Sequence, residues 1–586
     1  MFETEQKELQ DSIQTICQHN DLPSLAINWA TIPFHGEWGL STSFFAMAAA
    51  EARAGKGSNV AQRAQEIAVL VAEQLELPDA FDRVEAVKGY VNFYFNTGRY
   101  TSKVLEVISQ QGDFFGRSAF DGEKVMVEFS QPNTHKSFHV GHLRNVILGD
   151  AVCNLLEWAG NDVVRTNYIG DIGLHVIKWL WCYMNYHQDE HPAEDKIRWL
   201  GDIYAEASRY YDDDPTVEPQ VRESFARWHQ GDPKITALWK KTRQWSMDAF
   251  NDVYEMLGVK FDRVYFESEV EHSGIDMVND LIASGIARDE RPENSVIIPL
   301  DEILGTEDEY KVLVILRSDG TSLYSTKDLS LAFKKFAEYE LDRSIYVIDV
   351  RQSLYLRQIF KTLEVMGYKK MADKCHHLSY EIVNLPGNVT MASREGTVVL
   401  LEDLVREATD RAYTIVAEKN PELDEAAKQD IAKAVALGSI KYTMLSKDNN
   451  KIVTFDWERA LDFNGQAAPY IQYAYVRAGS ILRKSGSEIF PIPSEIPELQ
   501  PSEIQLIELM TKIPSAVQRA SKELLPMHMA SLTYDIARAF NDFYNQCPVL
   551  KAEGMEKKFR LALVTSARQC LQNCLTILGI IAPEAM

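Results

Sequence analysis

Residues 132–142 read PNTHKSFHVGH and hold three of the chain's 13 histidines, with a lysine and a glycine among them. That much imidazole suits metal ligation, nucleophilic catalysis or phosphate handling, and equally the capping of a turn. Metal ligation fits worst. His135, His139 and His142 stand at i, i+4 and i+7, a shared face only if one helix carried all three. Pro132 and Gly141 disfavour such a helix, and Lys136 after His135 breaks the HExxH pattern of zinc hydrolases. No GxSxG nucleophile elbow stands nearby.

Phosphate handling fits the surroundings better. KVMVEFS (124–130) is a short apolar run that reads as a strand, and Val140 to Trp158 reads as a helix. A loop from the carboxyl end of a strand to a helix N-terminus is where open α/β sheets bind nucleotides. The helix end offers free N–H donors and positive dipole. Imidazoles there can donate to phosphate oxygens, and glycine lets a flat base approach the backbone. Histidines capping a turn remain the plain alternative for HVGH taken alone.

The elements around the loop suggest how it is held. DVVRTNYIGDIG (162–173) is a second strand and loop, and LHVIKWLWCYM begins a second helix. This spacing suggests a doubly wound parallel sheet. Residues 186–265 interrupt the alternation with polar, mostly helical sequence, read as an insertion. YKVLVILRSDGTSLYSTKD (310–328) and RSIYVIDV (343–350) return as strands followed by helices. Before the sheet, 1–115 reads as an α+β unit, with a helix in SNVAQRAQEIAVLVAEQLEL and a strand in VKGYVNFYFN. After about 405 the pattern is helical, broken by FPIPSEIPELQP (490–501).

Composition narrows the class. The 586 residues are 46% hydrophobic and 25% charged, ordinary for a globular multidomain chain. The formal charge of −24 argues against a general nucleic-acid coat, but not against a shaped RNA held by local patches. No long apolar run or secretory signal is present, so a cytoplasmic, non-membrane protein is expected. Seven scattered cysteines without CxxC argue against a disulfide framework or a cysteine-based zinc site.

Longer motifs carry more information. VEFSQPNTHKSFHVGHLRN, with its strand before HVGH, resembles the HIGH region of class I aminoacyl-tRNA synthetases. NYIGDIG (167–173), LGVKFDRVYFES (257–268), SDGTSLYSTKD (318–328), MASREGTVVLLEDL (391–404) and APYIQYAYVRAGSI (468–481) follow in the order of the arginyl-tRNA synthetases. The resemblance covers essentially the whole chain. It implies a multidomain α/β protein. A Rossmann-type doubly wound catalytic domain (116–405) carries the mostly helical insertion (186–265). An N-terminal α+β domain (1–115) meets the tRNA D-loop and elbow, and a C-terminal all-α bundle (406–586) meets the anticodon arm.

The activity implied is an arginine–tRNA ligase. It uses ATP and Mg²⁺, takes L-arginine and tRNA(Arg), acts as a monomer without DNA or membrane partners, and activates arginine only with tRNA bound. By the same resemblance, His139 and His142 stabilise charge on the ATP phosphates and Gly141 faces the adenine. Met391, Ser393 and Gly396 complete the nucleotide site. Glu128, Asp328, Tyr324, Gln352 and Asn133 hold arginine, since a planar guanidinium asks for carboxylates that can take two parallel bonds. Tyr90 and Asn92 face the tRNA elbow, and Gln472, Tyr473 and Arg477 the anticodon stem-loop. Strand and helix packing compete with the RNA role at these aromatic positions.

Two departures matter. TMASREG (390–396) stands where class I enzymes carry KMSKS, so neither phosphate-binding lysine is present. Arg394 remains, and Lys136 occupies the place just before HVGH where many arginyl enzymes carry a compensating lysine. Tyr355 stands where the family often has histidine. A non-catalytic RNA- or protein-binding paralogue is the competing reading, and a class I enzyme for another amino acid the third.

Overall fold

The computed structural model describes residues 2–55, 59–192, 195–385, 389–390 and 400–586. Contacts divide the chain into two units. One comprises 1–115, 473–513 and 532–573, the other 116–472, 514–531 and 574–586.

The larger unit is built on five parallel strands: β1 Lys124–Glu128, β2 Asp162–Ile169, β3 Arg263–Phe266, β4 Arg343–Asp349 and β5 Cys375–Tyr380. Their spatial order is β5-β4-β1-β2-β3. β1 pairs on one side with β4 (Val125 opposite Arg343) and on the other with β2 (Val125 opposite Val163). Strand order therefore reverses at β1, and the loops after β1 and β4 diverge there, opening the crevice typical of doubly wound sheets. Both faces of β1 are covered, which is why its sequence is a continuous apolar run rather than an alternation.

Helix α1, Val140–Trp158, follows β1 and buries 15 of its 19 residues, as suits a helix packed on several sides. Its Gly149 lies against the Phe129 ring at the end of β1. A Cβ there would stand 2.3 Å from Phe129 Cγ. Gly149→Ala is expected to cost about 1–3 kcal/mol through this overpacking. Thermal unfolding of that variant at or above the wild-type temperature would show that Phe129 yields.

Between β2 and β3 the chain forms four helices: Leu174–Tyr186, Lys196–Asp213, Val217–His229 and Pro233–Leu257. The expected insertion, 186–265, is mostly helical, and its last residues already belong to β3. Helices α2 (Glu267–Ala283), α3 (Tyr324–Tyr339) and α4 (Ser353–Val365) then wrap the sheet. One expectation is corrected here. Val312–Leu316 is a strand, but it joins Val296–Pro299 and Arg288–Asp289 in a separate antiparallel sheet. Val312 and Val314 are exposed while Leu313 and Ile315 are buried, so one face meets water, a pattern antiparallel sheets tolerate and parallel ones do not.

The smaller unit holds an antiparallel four-stranded sheet, in the order Trp29–Thr31, Gly39–Ser43, Tyr90–Phe95, Phe81–Val87. Helices from both ends of the chain meet within this unit. The Trp38 indole donates to Glu508 Oε2 (2.7 Å), and the Asn573 amide donates to the Gly112 carbonyl (2.9 Å). Among the described residues no helix is long and apolar enough to cross a membrane.

Candidate active site

The loop after β1 is held in an unusual backbone path. Ser130, Gln131 and His135 all have positive φ (77°, 49° and 63°), a region that L side chains occupy only when their surroundings require it. Side-chain oxygens on three helices or strands supply that requirement. Asn145 accepts from the Ser130 N–H (2.6 Å), Asn167 from the Gln131 N–H (3.1 Å) and Ser246 from the His135 N–H (3.0 Å).

The three histidines part company in this loop. His135 is fully buried, its ring nitrogens engaged by Thr134 (2.9 Å) and Thr242 (2.8 Å), and burial pushes its pKa down to about 3. It is a neutral structural group. His139 is the N-cap of α1. The Gly141 N–H donates to His139 Nδ1 (3.1 Å), and the His139 N–H donates to His142 Nδ1 (3.2 Å). The two rings stack with centroids 3.9 Å apart. Capping and function are therefore compatible. A nitrogen that accepts cannot carry the proton, so each ring holds it on Nε2 and keeps one N–H to donate elsewhere. Burial lowers both pKa values, and the Lys136 charge adds to the effect, so both rings are neutral donors. Gly141 is needed beneath them, since a Cβ there would stand 2.9 Å from His139 Cε1.

A cavity of about 490 Å³ opens at the strand reversal. Glu128, Asn133, His139, Gly141, His142, Tyr324, Asp328 and Gln352 all line it. The fold thus brings together eight residues drawn from β1, the loop after it, α1, α3 and the turn after β4. Lys136 does not line the cavity. It is half-buried, with its ammonium 5.0 Å from the Tyr204 ring centre on an inserted helix. Met391, Ser393, Arg394 and Gly396 lie outside the described residues.

Charge pairing in the wall is specific. Glu128 is 2% exposed, forms a close ion pair with the fully buried Lys335, and accepts from Gln131 Nε2 (2.8 Å). Glu267 was not singled out from the sequence. It lines the cavity at the start of α2, forms a close ion pair with Lys327, and has its pKa raised to about 7 by burial. Asp328 has no lysine of its own. The Tyr355 hydroxyl donates to its Oδ2 (2.5 Å), and burial raises its pKa to about 6 against that bond. Glu128 and Glu267 thus have lysine partners and Asp349 pairs with Arg351, which leaves Asp328 as the wall carboxylate without a cationic partner among the described residues. The Tyr168 hydroxyl also lines the cavity, buried and without a hydrogen-bond partner among the described residues, another group the sequence did not mark.

The RNA-facing expectations divide. On the strand Tyr90–Phe95, Val91, Phe93 and Phe95 are buried, while Tyr90 is 45% exposed and Asn92 half-buried, its Oδ1 accepting from Ser41 (2.7 Å). Tyr473 and Arg477 share a half-buried helix face, with the guanidinium 4.7 Å from the Tyr473 ring centre. Gln472 is a correction. It is 0% exposed and its amide donates to the carbonyls of Ala434 (3.2 Å) and Ile581 (2.8 Å), so it anchors the final residues of the chain and offers nothing to RNA. Among the described residues, one histidine–cysteine–carboxylate group gathers ligating atoms: Cys182, His187 and Glu206. Both nitrogens of His187 are bonded to carboxylates there, Glu190 at 2.8 Å and Glu206 at 3.0 Å, which is the geometry of an ion-pair cluster.

A family profile for the class I (R) tRNA synthetase catalytic domain matches residues 103–457, and one for the DALR anticodon-binding domain matches 471–586. The arginine–tRNA ligase of Bdellovibrio bacteriovorus is 35% identical over 89% of this chain and 89% of its own. That of a Clostridium botulinum strain is 33% identical over 87% and 88%. The arginyl-tRNA synthetase structure of Thermus thermophilus superposes with a TM-score of 0.77 at 27% identity, covering 99% of this chain and all of its own. With its strand order, its histidine-capped helix at the strand reversal and these matches along its length, the chain belongs to the arginyl-tRNA synthetase family.

Proposed function

We propose that the chain joins arginine to tRNA(Arg) in two steps at the β1/β4 crevice. In the first, the arginine carboxylate attacks the α-phosphorus of ATP and pyrophosphate leaves, giving arginyl-adenylate. In the second, a ribose hydroxyl at the tRNA 3′ end attacks the activated carbonyl and AMP leaves. The observation that carries the reading is a buried carboxylate in the cavity wall without a cationic partner among the described residues. A site with one uncompensated carboxylate, Asp328, favours a monocation, and a guanidinium also fits the planar geometry of carboxylate recognition. Lysine carries the charge without the fork, so it should be a poor substrate.

Each neighbouring group has a role in this reading. The Nε2–H groups of His139 and His142 donate to phosphate oxygens as charge develops, a form of preorganised electrostatic stabilisation. Gly141 keeps the floor low beneath the adenine. Asn133, Tyr324 and Gln352 orient arginine, and Lys136, on leaving the Tyr204 ring, meets the departing pyrophosphate; by the family resemblance Arg394, Met391, Ser393 and Gly396, outside the described residues, serve the nucleotide. Mg²⁺ would arrive with the nucleotide's phosphates. The described carboxylates of the cavity do not fit it as ligands, being engaged by Lys335, Lys327, Tyr355 and, at Asp349, Arg351 (2.7 Å), and no step is assigned to it. For tRNA, Tyr90 and Asn92 offer a stacking face and an amide to an unpaired base, and Tyr473 and Arg477 a second contact. Residues 1–115 thus serve the tRNA elbow and 406–586 the anticodon arm.

The test is charging of total tRNA with each labelled amino acid, alongside pyrophosphate exchange with and without tRNA. Arginine alone should be charged, with exchange only when tRNA is present. Charging of a different amino acid, or none by a folded protein, would overturn the reading. Exchange without tRNA would remove only the tRNA requirement.

A further inference from the structure

Among the described residues, Asp328 is the cavity-wall carboxylate with no lysine or arginine partner. It projects from α3 near a crowd of ionisable groups. On its own helix are Tyr324, Lys327 and Lys335. β1 contributes Glu128, β2 Tyr168, α2 Glu267, β4 Tyr346 and α4 Tyr355. Both lysines are committed to other carboxylates, Lys327 to Glu267 and Lys335 to Glu128. Among the described residues, Tyr355 is the one hydrogen-bond donor to the Asp328 side chain. Burial and the adjacent Asp328 keep the Tyr355 phenol protonated, so it acts as the donor. Its ring packs against the apolar cluster that includes Leu329, Ile359 and Leu363, which fixes where the hydroxyl points.

We propose that Tyr355 is a positioning residue for arginine selection. Its hydroxyl occupies Asp328 Oδ2, fixes the carboxylate against α4 and leaves Oδ1 for the substrate guanidinium. The inference rests on the reading of the cavity as an arginine site. It assigns the hydroxyl a task distinct from that of the ring: the ring packs, and the hydroxyl orients the anion. The bond also favours the charged form of Asp328, against burial, the larger effect, and the Glu128 carboxylate, both of which disfavour it. Since a guanidinium binds the ionised carboxylate, arginine affinity should weaken as pH falls through about 6, where Asp328 takes up a proton. Without the hydroxyl that limb should move upward.

Tyr355→Phe removes the hydroxyl and keeps the ring, and Tyr355→His restores a donor on a different ring. Arginine binding to the full chain is read by calorimetry from about pH 5.5 to 8.5, a range that spans the usual histidine and the raised carboxylate values. Arginine KM and kcat are read in charging. Tyr355→Phe should bind arginine about tenfold more weakly at neutral pH, the scale of a lost hydrogen bond to a charged group. Its affinity limb should shift upward, and KM should change more than kcat. Tyr355→His should stay within about threefold of wild type, because a donor remains. An unchanged limb in Tyr355→Phe, or a folded Tyr355→His that loses more than about tenfold, would overturn the proposal. If Tyr355→Phe does not fold, the His variant alone decides on that same threshold. A wild-type chain that neither binds nor charges arginine would instead overturn the reading of the site.

Discussion

Asp328→Asn is expected to lower kcat/KM for arginine by about 10²- to 10⁴-fold, the cost of leaving a buried cation without its counter-charge. The substitution is nearly isosteric, and the amide oxygen can still accept from Tyr355. What it removes is the one wall carboxylate without a lysine or arginine partner among the described residues. The loss should fall on arginine KM and binding, with KM for ATP within about threefold of wild type, since the nucleotide meets His139 and His142 instead. Stability should move the other way. The folded pKa of about 6 lies above the ordinary aspartate value of 3.8, so the ionised form is disfavoured by folding. That penalty is absent below 3.8, grows as pH rises between the two values and is complete above 6. Asp328→Asn removes it, so the unfolding temperature should be equal or higher at neutral pH. Glu128→Gln differs in this respect, because it strands the fully buried Lys335 and should lower the unfolding temperature. Steady-state charging and thermal unfolding of both variants separate the two cases. Asp328→Asn activity within about threefold of wild type would mean that the guanidinium is held elsewhere in the wall.

Lys136→Ala should reduce the rate of arginyl-adenylate formation by about 10²- to 10³-fold, the range seen when one preorganised charge-stabilising donor is removed. The argument joins two observations. The stretch TMASREG carries neither of the lysines that class I enzymes use on the phosphates. Lys136 lies three residues before His139, and its charge is felt at both His139 and His142, whose pKa values it helps depress. The ammonium rests near the Tyr204 ring, at 5.0 Å, and must leave it to meet phosphate. A cation–π contact at a half-buried ammonium is worth only about 0.5–2 kcal/mol, so the swing is inexpensive. Arginine KM should change less than about threefold, and Lys136→Arg should recover part of the rate. Pre-steady-state adenylate formation with tRNA present reads this directly. A loss under about fivefold would make Lys136 a surface lysine resting on an inserted helix.

What the sequence determined by itself was local. The strand Lys124–Glu128 and the helix Val140–Trp158 were legible because apolar runs and the HVGH cap report on adjacent residues. The resemblance of the long motifs named eight residues that the fold gathers around one cavity. Tertiary structure alone decided the rest. Glu267 reads as a solvated helix-start acid until its partner Lys327, 60 positions away, is seen to bury it. Tyr355 reads as a departure from a pattern until its hydroxyl is found on Asp328, 27 positions earlier. Gln472 sits in a motif that suggests RNA, yet packing turns it inward onto the carbonyls of Ala434 and Ile581. Val312–Leu316 has the composition of a strand, and only pairing reveals that it leaves the main sheet. The common reason is that a residue's type restricts its local conformation, whereas its charge state and its partner depend on groups that the chain brings together only on folding.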